Sequence, residues 1–127
     1  GQVICTPGGR RGTVLALHRS TGRVLWQSLD LKDDAAYTSL IKVTIGGMEQ
    51  YVVLTDKSLA GILPQNGKVL WKAKRHGETA VIPTPIYKEN EIFVTSGYNI
   101  GCNLFRITPG PRFTVQEIYK NKNMVVF

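Results

Sequence analysis

The sequence predicts an all-β fold built from four-stranded antiparallel units that recur about every 45 residues. Three observations carry the prediction. The first is self-similarity. Ala16-Leu17-His18-Arg19-Ser20-Thr21-Gly22-Arg23-Val24-Leu25-Trp26 answers to Gly61-Ile62-Leu63-Pro64-Gln65-Asn66-Gly67-Lys68-Val69-Leu70-Trp71 at one offset (67 − 22 = 45 for the glycines, and the same for the tryptophans). Thr38-Ser39-Leu40-Ile41 and Pro83-Thr84-Pro85-Ile86 share that offset, and repeats at a fixed period decide an architecture before anything else does. The second observation is a set of short β-branched and aromatic runs of strand length, such as Gln50-Tyr51-Val52-Val53-Leu54-Thr55 and Glu91-Ile92-Phe93-Val94-Thr95. The third is that no stretch holds a 3.6-residue apolar period over three turns, and the Pro and Gly spacing would break one.

Taken in order, the first unit (1–30) is incomplete, with strands expected near 3–6, 13–18 and 23–28. The second unit (37–76) has strands expected at 40–45, 50–55, 58–63 and 68–74. Gly46-Gly47, Asp56-Lys57 and residues 64–67 supply its turns, because glycine takes the positive φ of a tight hairpin. The third unit (80–120) repeats the plan at 85–88, 91–96, 102–108 and 113–120, with Glu89-Asn90 as its first turn, and 121–127 begins a next segment. Four strands in about 45 residues is the size of a propeller blade. The chain is therefore read as one domain, 1–127, a partial β-propeller of two full blades and most of a third. It starts without Met on a strand-like run and stops on Met124-Val125-Val126-Phe127, so further sequence is expected at both ends.

The repeat resembles the PQQ-like (quinoprotein alcohol dehydrogenase-like) β-propeller family, whose signature reads roughly Ala-x-Asp-x-x-Thr-Gly-x-x-x-Trp. Ala16, Thr21, Gly22 and Trp26 fill four of its positions, with His18 in place of the Asp. The second copy keeps Gly67 and Trp71, with Gly61 for the Ala and Asn66 for the Thr. The third is degenerate, with Tyr119 near the Trp position. The resemblance implies a structural role for the signature: Trp26 and Trp71 dock one blade on another, small residues (Ala16, Gly61) let the rings lie flat, and Gly22 and Gly67 form the turns. Such rings close with about six to eight blades, so remaining blades of the same chain or self-association are expected to cover the open blade faces. The family is mostly bacterial and extracytoplasmic, which implies a periplasmic or otherwise extracytoplasmic location.

Composition narrows the function. With 43% hydrophobic and 20% charged residues the chain is globular, and no apolar run approaches the length of a membrane helix. The net charge of +7 invites a nucleic-acid reading, but the basic residues are spread from Arg10 to Lys122 without interleaved aromatics, so no nucleic acid is expected as partner. Quinone-dependent relatives hold PQQ with calcium, a catalytic Asp, a stacked Trp and often adjacent cysteines. That set cannot be assembled here, and Asp33-Asp34 reads as a solvated loop rather than a calcium site. GxSxG, HExxH and GxxxxGK[ST] are absent, and two histidines, His18 and His76, leave little for zinc or general-base work. Cys5 and Cys102 are either a disulfide or two buried thiols, the free thiols being preferred.

No catalytic residue, metal or cofactor is therefore expected. The places left for function are loops between the second and third strands of each blade: Gly-rich 6–12 and 95–101, and the short Asp56-Lys57. Arg10, Arg11, Lys57, Tyr98 and Asn99 are the candidate contact residues there, although the glycines serve equally to shape the turns. The expected function is a non-catalytic module that binds a protein or polymer on this loop face. The alternative is a fragment of a PQQ-dependent dehydrogenase whose cofactor site, with PQQ and calcium, lies outside this stretch.

Overall fold

The computed structural model describes residues 1–123, so the segment expected to begin at 121 falls, from Met124 on, outside the described residues. The described residues form strands and no helix: β1 (Gln2–Cys5), β2 (Leu15–His18), β3 (Val24–Gln27), β4 (Ile41–Ile45), β5 (Met48–Leu54), β6 (Ser58–Ile62), β7 (Val69–Lys74), β8 (Ile86–Lys88), β9 (Glu91–Ser96), β10 (Gly101–Thr108) and β11 (Thr114–Asn121). They make three antiparallel sheets, each in chain order: β1-β2-β3, β4-β5-β6-β7 and β8-β9-β10-β11. This is the all-β, partial-propeller architecture. Gln2–Cys5 matches the second strand of the later blades, so blade 1 contributes its outer three strands.

The repeat is visible in the hydrogen bonds. His18 N–H donates to Arg23 O and Leu63 N–H to Lys68 O, both at 2.8 Å. Inside those loops the Thr21 hydroxyl and the Asn66 carboxamide oxygen each accept the N–H two residues on, which closes the same turn with two different side chains. A β-bulge follows Ala16 in blade 1, Gly61 in blade 2 and Leu104 in blade 3. The bulge sets Ala16, Gly61 and Leu104 opposite Trp26, Trp71 and Tyr119, so Tyr119 holds the tryptophan's place in the degenerate copy.

Two strands start two residues away from expectation, each for an identifiable reason. β5 starts at Met48 because Gly46 and Gly47, at φ 60° and 78°, form a two-residue turn that pairs Ile45 directly with Met48. Glu89 and Asn90 make the same turn without glycine, at φ 50° and 67°, where the Tyr87 hydroxyl accepts the Asn90 N–H at 3.2 Å. β2 starts at Leu15 rather than at Thr13 because Thr13 bonds elsewhere: its N–H donates to Leu31 O and its hydroxyl to Asp33 O.

Side chains from facing sheets form two apolar layers. Val43, Ile45, Leu54, Leu59 and Trp71 of blade 2 pack with Ile92, Val94, Phe105 and Ile107 of blade 3. Val14 and Leu31, from around blade 1, pack with Val53, Ala60 and Ile62 of blade 2. Blade 2 therefore buries both faces, and β6 is buried at every residue. By contrast, Val3, Val24 and Leu25 in blade 1 and Ile86, Ile118 and Tyr119 in blade 3 are exposed. Ser39 N–H donates to Thr84 Oγ1 at 3.4 Å; these residues are 45 apart in the chain, the same position in adjacent repeats.

Candidate binding face at one end of the blades

The signature residues sit at the blade junctions. The Trp26 ring lies against Gly67 of blade 2, and a Cβ at Gly67 would collide with it. The Trp26 indole N–H donates to Pro64 O at 2.8 Å, and Gln2 Nε2 donates to the same carbonyl at 3.1 Å. At the next junction the Gly46 turn packs against Pro109, one repeat further along. Trp71 behaves differently: its ring covers Gly61 of its own blade, and its indole N–H donates to the buried Gln50 Oε1 at 2.7 Å. Trp71 is 4% exposed and belongs to the layer shared with blade 3. Tyr119, opposite the larger Leu104, is 45% exposed. Gly22 shapes the first-copy turn at φ 73° and Ala16 is fully buried beside Trp26.

The β1–β2, β5–β6 and β9–β10 loops lie at one end of the three blades, as the pairs Cys5↔Leu15, Leu54↔Leu59 and Ser96↔Gly101 require. The Gly-rich first loop is laid on the segment that leads to blade 2. Gly9 N–H donates to Asp33 O, and Gly12, at φ 125°, sits so close to Ser28 O that no side chain fits. Arg10 and Arg11 are exposed at its tip. In the short second loop the Thr55 hydroxyl accepts the N–H groups of Lys57 and Ser58, and the Lys57 side chain is left exposed. Tyr98 and Asn99, at φ 57° and 64°, are exposed in the third.

Two adjoining grooves run along this end. One, of about 360 Å³, is lined by Asp33, Lys57, Lys72, Lys74 and His76. The other, of about 200 Å³, lies between blades 2 and 3 and is lined by Lys74, Arg75, His76, Asn99, Lys120 and Lys122 among others. Lys57 and Asn99 thus line grooves that share Lys74 and His76. His76 Nε2 is 2.9 Å from Glu78 Oε1.

Apart from Lys57 and Asn99, the groove linings lie outside the residues that sequence reasoning singles out for contact. Arg75 is the clearest miss, because it stands in the basic run Lys72-Ala73-Lys74-Arg75-His76, which looks like a solvated face. Lys72, Lys74 and His76 are indeed exposed, but Arg75, one residue beyond β7, turns inward between the blades and is 3% exposed. Its Nε donates to Asn103 Oδ1 (2.9 Å), Nη1 to Ser96 Oγ (2.7 Å) and Nη2 to Gly101 O (3.0 Å). Desolvation lowers its pKa from the ordinary guanidinium value. The only signal in the sequence is the alternation of the run itself.

Asp33 Oδ2 accepts the Thr55 hydroxyl at 2.8 Å and Asp34 is exposed. Among the described residues no three His, Cys, Asp or Glu side chains cluster to hold a metal ion, whereas calcium takes six to eight oxygens. Cys5 and Cys102 are both free thiols, Cys102 buried and Cys5, against the expectation of two buried thiols, exposed. Cys5 lies in β1, whose other edge has no partner strand in this sheet. No helix is long and apolar enough to cross a membrane among the described residues.

A family model of PQQ repeats, described as outer membrane protein assembly factor BamB, matches residues 1–126. No curated protein matches the chain.

Proposed function

Since the chain belongs to the PQQ-repeat family of the outer membrane protein assembly factor BamB, we propose that it is a non-catalytic propeller module that binds a protein partner at the loop end of its blades. The observation that carries this reading is the shared rim. Loops of three successive blades lie at one end, and the two grooves beside them, one holding Lys57 and the other Asn99, meet at Lys74 and His76. A continuous polar rim on a rigid sheet scaffold suits recognition of an extended surface better than enclosure of a small substrate. Arg10, Arg11 and Tyr98 extend the same end. No cofactor has a role in this reading. The family is typically extracytoplasmic, and we place the chain in the periplasm on that ground; protease accessibility of the intact protein in spheroplasts tests the placement.

Photo-crosslinking tests the binding face. A photoreactive residue at Lys57 or Asn99 of the intact protein is expected to trap a discrete partner, while one at Arg23 or Glu89, at the opposite end, is not. Equal yields from both ends would contradict the reading, as would none from either.

A further inference from the structure

The groove between β7 and β11 has an unusual floor. Arg75 is nearly fully buried, and its three hydrogen bonds go to neutral acceptors: a carboxamide oxygen, a hydroxyl and a backbone carbonyl. A guanidinium carries five N–H donors, so two remain. Among the described residues no carboxylate lies within ion-pair distance of it. The nearest link to negative charge is indirect, since Asn103 Nδ2 donates to Glu117 Oε1 at 2.9 Å while its Oδ1 accepts from Arg75. Buried charges are ordinarily paired, because desolvation is otherwise uncompensated. The lowered pKa of Arg75 has that cause.

The rim strengthens the imbalance. Lys74 ends β7, Lys120 lies near the end of β11 and Lys122 follows it, all exposed. Against these four cations the groove lining holds one carboxylate, Glu117, while the His76 ring is engaged by Glu78. The groove lining therefore carries a net positive charge.

We propose that this groove receives a carboxylate side chain from an acidic segment of a protein partner, with Arg75 at its floor and Lys74, Lys120 and Lys122 at its rim. The proposal rests on the reading of the loop end as a protein-binding face and names the chemistry of the partner. A volume of about 200 Å³ admits a side chain. Ile100 offers an apolar wall for its methylenes, and no aromatic ring lines the groove to stack a base. The planar fork of Arg75 suits a carboxylate, and the lysines speed the encounter of an acidic segment.

The test is a fluorescence anisotropy titration of the intact protein with labelled hexaglutamate, with hexaglutamine as control and inorganic phosphate and acetate as competitors. Saturable binding of hexaglutamate alone is expected. The exposed double reversal Lys120→Glu, Lys122→Glu should weaken it at least about tenfold, and Arg75→Lys, which keeps a cation without the fork, about fivefold. Arg23→Ala, at the opposite end of the blades, should leave it unchanged. Absent saturation, indifference to the Lys120/Lys122 reversal, or displacement by phosphate well below the acetate concentration needed would each overturn the proposal. If hexaglutamate fails while Lys57 or Asn99 still traps a partner, only this inference falls. Peptide binding without any trapped partner upholds the groove's chemistry and removes the wider reading.

Discussion

The Trp26 ring of one blade rests on Gly67 of the next, and the two are held in register by the 2.8 Å bond from the indole N–H to Pro64 O. The contact joins two features that the repeat placed far apart in the chain: the tryptophan that ends one copy and the glycine turn of the following copy. Glycine is required at 67 on two counts, its φ of 78° and the ring lying where a Cβ would be. Gly22 is the same turn residue one repeat earlier, at φ 73°, and a Cβ there would meet nothing within 4 Å.

That pair gives a controlled comparison. Gly22→Ala should cost about 1–2 kcal/mol, the strain of a left-handed backbone alone. Gly67→Ala should cost about 2–4 kcal/mol, because the collision with Trp26 adds an overpacking term. Urea unfolding of the two variants checks the difference; equal losses would deny that Trp26 docks there.

Trp71→Ala should cost about 3–5 kcal/mol, since it empties a large site in the layer between blades 2 and 3 and leaves the buried Gln50 Oε1 without its donor. A loss below about 1 kcal/mol by the same unfolding measurement would contradict its place in that layer.

The thiols should separate by accessibility. In the folded protein a thiol reagent should label Cys5 rapidly and Cys102 only after denaturation, because Cys102 is fully buried. Mass spectrometry of the labelled peptides checks this, and equal labelling rates would contradict the burial of β10.

The Lys42–Glu49 pair sets a pH expectation. A hydrogen bond and charge attraction from Glu49, 2.7 Å away, raise the pKa of Lys42 above its ordinary 10.5. A raised folded-state value means that the pair's stabilisation is fully present below pH 10.5 and is lost as the pH rises through the higher folded value. Both side chains are largely exposed, so the effect on stability is small. NMR titration should show Lys42 falling back towards 10.5 in Glu49→Gln; no change would contradict the assigned cause.

The 45-residue offset makes the sheets and most turns legible, because each depends on local chemistry that both copies repeat: Thr21-Gly22 and Asn66-Gly67 close the same loop. The spacing also puts Tyr119 near the tryptophan position, and the shared bulge shows why it fits there. The candidate site is less legible. Arg10, Arg11, Lys57, Tyr98 and Asn99 can be assigned to one end from strand order alone, but which of them share a groove depends on how neighbouring blades pack. Arg75 shows the limit most plainly. Only the alternation of Lys72-Ala73-Lys74-Arg75-His76 hints at the one cation that turns inward, and its acceptors, Ser96, Gly101 and Asn103, belong to the next blade.

The central claim is that this propeller module binds and does not catalyse. It is tested most directly by calorimetric titration of the intact protein with PQQ in the presence of calcium. The account predicts no saturable heat. Saturable binding at micromolar affinity or tighter would contradict it and would make the chain part of a quinone-dependent dehydrogenase.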